Sequence, residues 1–181
     1  ANSSGTDNTA VGYAALDANS TGSDNTALGD NALGANTTAD NNTAVGSGAL
    51  LLNTTGTSNV SIGAYALDAN TTASYNTAVG YNALTANTAS NNTGVGYKAL
   101  EATTTGSQNI AVGGEALQDN TTGASNIAIG YGALANATTV SNNVAIGTSS
   151  MDAAVAGANN VAVGSLTLSA LTTGASNTAV G

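Results

Sequence analysis

The sequence predicts an all-β fold, an elongated parallel β-solenoid (β-roll) of about eleven 17-residue coils. Three observations predict it. A five-residue phrase, Asn8-Thr9-Ala10-Val11-Gly12, returns with conservative changes until Asn177-Thr178-Ala179-Val180-Gly181. Its closing glycines (Gly12, Gly29, Gly46, Gly63, Gly80, Gly96, Gly113, Gly130, Gly147, Gly164 and Gly181) lie 17 residues apart, except for a step of 16 from Gly80 to Gly96. Within each phrase, β-branched or aliphatic residues stand two apart, the spacing of one strand face. A fixed period of this size marks a stacked-repeat architecture. Residues 1–181 are therefore expected to form a single repeat array, read as a segment of a longer fibre.

Stacked as rows, the sequence resolves into columns. The phrase opens on asparagine in every row, from Asn8, Asn25 and Asn42 to Asn177. A β-branched column follows: Thr9, Thr26, Thr43, Val60, Thr77, Thr93, Ile110, Ile127, Val144, Val161 and Thr178. Next comes alanine, relaxed only to Ser61 and Gly94. The fourth column is aliphatic: Val11, Leu28, Val45, Ile62, Val79, Val95, Val112, Ile129, Ile146, Val163 and Val180. Together they read as a short strand that is uncharged on both faces, a pattern typical of burial on both sides. The aliphatic column is expected to be structural core, so Val79→Asp or Ile129→Asp should be far more damaging than Asp17→Ala. Glycine closes the strand where the chain turns or another backbone comes close.

The other side of each coil is anchored by a second apolar pair, Ala15-Leu16. Its leucine column runs Leu16, Leu33, Leu50, Leu67, Leu84, Leu100, Leu117 and Leu134, continuing as Met151 and Leu168. Whether this side is a strand or a short helical turn stays open, because Ala-Leu favours helix while stacking favours strand. The row closes through N-T-T-G or a relative, as in Asn53-Thr54-Thr55-Gly56, with residue types that suit turns. The missing residue of the 16-residue row falls in such a turn, around Asn87-Thr88-Ala89-Ser90. The row from Thr148 to Gly164 departs most, with Ala153-Ala154-Val155-Ala156 where others carry polar turn residues. One row has too few large apolar side chains to offset its own ordering entropy, so the rows must fold on one another.

Composition removes several classes of function. The formal charge of −9 arises from ten acids and one base, Lys98. Binding nucleic acid or anionic lipid needs a basic footprint, so neither is expected. No apolar run approaches the ~20 residues of a membrane span, and no membrane insertion is expected. Without cysteine or histidine, Ser-His-Asp, Cys-His and most zinc sites cannot be assembled. Asp7 and Asp24 share a column, but it continues as Asn41, Ser58, Tyr75, Asn91 and Gln108, so it reads as a solvated turn position rather than a catalytic pair. No enzyme activity, metal or cofactor is expected.

Some surface columns invite a binding role. Tyr13, Tyr81, Tyr97 and Tyr131 share the position after the closing glycine, a candidate surface for stacking sugars. The Thr ladders suit ordered water, as in ice-binding solenoids, although Thr37-Thr38 and Thr54-Thr55 are adjacent rather than alternating. Lys98 and Glu115, one row apart in one column, are expected to pair. Sequons at Asn19, Asn36, Asn53, Asn59, Asn70, Asn91, Asn120 and Asn136 would make a glycosylated fibre in a compatible host.

The phrase N-[T/V/I]-A-[V/I/L]-G resembles the S-V-A-I-G phrase of YadA-like heads in trimeric autotransporter adhesins. The longer N-T-A-V-G-Y-x-A-L-x-x-N-T-T-G is similar to repeats in bacteriophage tail fibres and other surface fibres. The resemblance runs through the whole chain, although the rows here are longer than YadA-like rows by the A-L and N-T-T segment. It implies a parallel β-roll, a homotrimer, and an extracellular place on a cell surface or virion appendage. A non-enzymatic structural or adhesive fibre segment is the expected function, with a host-surface or glycan ligand. The alternative is a glycan- or ice-binding module using the Tyr or Thr columns. The two-faced strand independently calls for a lateral partner, since a lone coil has one interior. End-to-end assembly into a filament is a variant of the same expectation.

Overall fold

The computed structural model describes residues 2–153 and 156–181. Each phrase forms a three-residue strand: β1 (Thr9–Val11), β2 (Thr26–Leu28), β3 (Thr43–Val45), β4 (Val60–Ile62), β5 (Thr77–Val79), β6 (Thr93–Val95), β7 (Ile110–Val112), β8 (Ile127–Ile129), β9 (Val144–Ile146), β10 (Val161–Val163) and β11 (Thr178–Val180). They make one parallel sheet in sequence order, each strand hydrogen-bonded to the next row. Register follows the columns, with Thr9 opposite Thr26, Ala10 opposite Ala27 and Val11 opposite Leu28. The shortened row keeps it too, Thr77 pairing with Thr93. The fold is the all-β parallel solenoid that the period predicts.

The second wall of the coil is neither strand nor helix. It is a run of tight turns in which the leucine column takes the left-handed conformation, with φ of 52° at Leu33 and 53° at Leu50. That conformation costs an L-residue of order 1–2 kcal/mol. Two gains offset it. Each leucine from Leu33 to Leu134 is fully buried, worth roughly 1.5–3 kcal/mol apiece. Each also donates its N–H to the next row, as from Leu33 to the Ala49 carbonyl at 3.0 Å and from Leu50 to the Ala66 carbonyl at 2.9 Å. Propensity alone could not settle strand against helix because the wall depends on bonds between rows.

The core lies between this wall and the inner face of the sheet, and that face is alanine. Ala27, Ala44, Ala78, Ala111, Ala128, Ala145 and Ala162 are fully buried and pack with the leucines. Ser61 takes the same place and satisfies its hydroxyl by donating to the Ala66 carbonyl at 2.7 Å. A narrow coil has room opposite leucine for a methyl group and little more.

This corrects the expected core. Val11, Leu28, Ile62, Val112, Ile129 and Ile146 are on the outer face and exposed, Val11 by 57%. Val45, Val79, Val95 and Val163 are also on that face and only half-buried. The interior takes the column between them. The leucine column Leu16, Leu33, Leu50, Leu67, Leu84, Leu100, Leu117 and Leu134 is core as expected.

The closing glycines make the corner between the walls. Gly29 has φ of 139°, and a Cβ there would lie 2.5 Å from the Gly46 carbonyl oxygen. Stacked corners in backbone contact admit no side chain, which explains why this column never varies. In the divergent row, Ala154 and Val155 lie outside the described residues.

Candidate functional site

The interior holds a second ordered feature, a pair of asparagine ladders. In the phrase column, Asn42 donates its backbone N–H to Asn25 Oδ1 of the row before, at 3.0 Å. Its Nδ2 crosses the coil to the Gly56 carbonyl at 2.9 Å. The turn asparagines form the other ladder: Asn36 Nδ2 donates to Asn19 Oδ1 at 2.8 Å and to the Ala39 carbonyl at 3.0 Å. That carbonyl also accepts Asn25 Nδ2, at 2.8 Å. Each row is thereby stitched across its own coil and to its neighbour. These asparagines, buried from Asn25 to Asn160 and from Asn19 to Asn87, replace the backbone partners that a coil with one sheet lacks.

The ladder breaks where a row is irregular. At the 16-residue row, Asn87 Nδ2 turns to the Ala89 carbonyl at 2.7 Å instead of the previous row. Asn70 Oδ1 and Asn76 Nδ2 are then buried without a partner. Asn120 Oδ1 is also without one, since the next row carries Ala137 at this position. Sequence reasoning read the asparagines of the N-T-T-G segment as turn formers, gave the phrase column no role, and missed the ladders. The available signal was that the phrase column is always Asn, whereas a merely solvated turn admits Ser, Asp or Gly.

The burial also decides the sequons. Asn19, Asn36, Asn53, Asn59, Asn70 and Asn120 are fully buried, while Asn91 and Asn136 are exposed. The column of Asp7 and Asp24 is a turn position, with φ of 57° and 58°, and it continues in that conformation through Asn41 and Ser58.

On the surface, Tyr13, Tyr81, Tyr97 and Tyr131 are all exposed as the column reading expects. Tyr81 and Tyr97 stack with centroids 5.9 Å apart and planes 12° from parallel. Tyr65, from the neighbouring column, meets Tyr81 edge-on at 6.3 Å and extends the run to a third ring. Tyr13 and Tyr131 lie outside this run. Lys98 Nζ sits 5.6 Å from the Tyr97 centroid.

Lys98 pairs with Glu101 at 3.2 Å, not with Glu115 one row on. Three residues along the same row proved closer than the next corner of the column. Partial burial works against ionisation of Glu101, but hydrogen bonds from Gln118, Lys98 and Asn82 outweigh it and hold the carboxyl below the usual range. Gln118 Nε2 lies 2.8 Å from Glu101 Oε2. Lys98 is raised above the ordinary lysine range, first by its bond to Glu101. Tyr131 is raised by its hydrogen bond to Glu115.

A second regular surface is the outer face of the sheet, where the Thr/Val/Ile and Val/Leu/Ile columns run side by side without a charged residue. Among the described residues no pocket opens and no group of acidic side chains gathers as a metal site. No helix is long and apolar enough to cross a membrane. Compared with protein-family models, with curated proteins and with solved structures, the chain has no match in any of the three.

Proposed function

We propose that this chain is a non-enzymatic structural and adhesive segment of an extracellular fibre, on a cell surface or a virion appendage. The observation that carries the reading is the unbroken in-register stack of eleven strands, one repeat unit used again and again without a pocket among the described residues. Such a stack makes length and spacing rather than a reaction chamber. The motif resemblance to YadA-like heads and phage tail fibres supports it and favours a homotrimer. Copies would meet along the most apolar part of the outer face, Ile110, Val112, Ile127, Ile129, Val144 and Ile146 of β7 to β9. Light scattering at micromolar concentration, with electron microscopy of the same sample, tests both parts. Elongated particles of three-chain mass are expected, and Ile127→Lys should lower that mass. A compact particle would refute the fibre, and a monomeric mass the trimer.

A second reading, glycan binding, is favoured by the contact among Tyr65, Tyr81 and Tyr97. It predicts retention on immobilised polysaccharide that Tyr97→Ala abolishes. Passage of the wild-type chain without retardation would remove it.

A further inference from the structure

We propose that the outer face of β1 to β6 binds the surface of ice. The inference rests on this face alone and is independent of the fibre reading. Five of the six strands place a threonine on it, Thr9, Thr26, Thr43, Thr77 and Thr93, with Val60 in the remaining row. Two residues along each strand stand Val11, Leu28, Val45, Ile62, Val79 and Val95. The strands pair residue for residue, so both columns repeat without stagger. Parallel strands in one sheet set the repeat at ~4.8 Å between rows and ~6.6 Å between the columns. The result is a two-dimensional lattice of hydroxyl and methyl groups.

Three properties suit that lattice to a ligand made of ordered water. It is stiff: nearly every side chain on it is β-branched, with restricted χ1, and the alanine beneath is packed on the leucine wall. It is neutral: the ten acids and one base of the chain fall in other columns. It is also unsatisfied. Among the described residues, none of these five threonine hydroxyls makes a hydrogen bond within the chain, whereas Thr37, Thr54, Thr104 and Thr121 of the turns each donate to the next row. Hydroxyls buried against another protein without partners would be costly. Against water held in a repeating array they are paired, and the methyl groups between them confine the intervening water without competing for its bonds. β7 to β10 differ, since Ile110, Ile127, Val144 and Val161 replace every threonine there. The aliphatic rows suit a dry protein contact, and the threonine rows suit ordered water.

The test uses the full chain and polycrystalline ice. Wild-type protein at micromolar concentration should suppress ice recrystallisation. Thr43→Lys with Thr77→Lys places two hydrated charges on the lattice and should raise the concentration needed at least about tenfold. Far-UV circular dichroism should be unchanged and melting lowered by only a few degrees, because both sites face outward. Thr38→Lys, at an exposed turn position away from the sheet, should leave ice activity intact. The proposal is overturned if wild-type chain has no effect on ice growth, if the double variant is as active as wild type, or if Thr38→Lys abolishes activity equally. Mass measurement on the same samples separates this result from the fibre reading: a trimer without ice activity sinks only the present proposal, and an ice-active monomer sinks only the trimer.

Discussion

Ala128 is wholly buried, while Ile127 and Ile129 on either side face outward, Ile129 with 39% of its surface exposed. The contrast repeats in almost every row and reverses the usual association of large with inside. Here the largest side chains of the strand are spare, and the smallest is indispensable. The reason is dimensional. A 17-residue coil with one three-residue strand encloses a channel that the opposite leucine and two asparagine amides already fill. A methyl group completes it.

The sharpest way to break this comparison is to charge the two faces of one strand in turn. Ala128→Asp buries an unpaired carboxylate and should cost more than ~4 kcal/mol, enough to abolish the thermal transition or the soluble fold. Ile129→Asp and Val79→Asp should cost about 1 kcal/mol in the isolated chain. Comparable melting temperatures for Ala128→Asp and Ile129→Asp would overturn the assignment of faces. The corner comes next: Gly29→Ala should lose about 2–3 kcal/mol in denaturant titration, through a strained φ and a clash with the next row.

Repairing the interior should act in the opposite direction. Ala137→Asn offers a donor to the unpartnered Asn120 Oδ1 and restores the ladder position that other rows fill. A gain of about 1 kcal/mol is expected by denaturant titration, and a loss would show that this row is too narrow for the amide.

The smallest effect concerns Asp68. Burial pushes its carboxyl above the ordinary range, and its Oδ1 is buried without a hydrogen bond. Since the folded pKa is the higher one, the protonated form is favoured on folding. The penalty grows as pH rises through that pKa. Asp68→Asn should therefore raise the melting temperature at neutral pH by the equivalent of less than ~1 kcal/mol, with the difference vanishing in acid. An unchanged difference across the titration would exclude the carboxylate as its cause.

The period, strand positions and register were legible because each depends on one repeated spacing. The faces were misread because hydrophobic size is a guide to burial only where the interior has room for it. Threonine among the valines and isoleucines of Thr9 to Thr178 was the overlooked signal of a column that meets water, and unvarying alanine the signal of one that meets a wall. Pairwise contacts such as Lys98 with Glu101, or the Tyr65 edge on Tyr81, depend on how the turns project side chains, and column spacing does not specify that.

The turn asparagines carry one more consequence, for how such a chain can be made. The atom to which a secretory pathway attaches an oligosaccharide is the amide nitrogen of an Asn-x-Thr acceptor. In Asn36, Asn53 and Asn70 that nitrogen is the donor holding one row to the last and to its own turn. A glycan added cotranslationally would replace one of the two N–H donors and have to fit inside the coil. The fold can therefore mature only along a biosynthetic route that leaves these acceptors bare. Production in a glycosylating host should yield misfolded chains, whereas bacterial expression should yield rods.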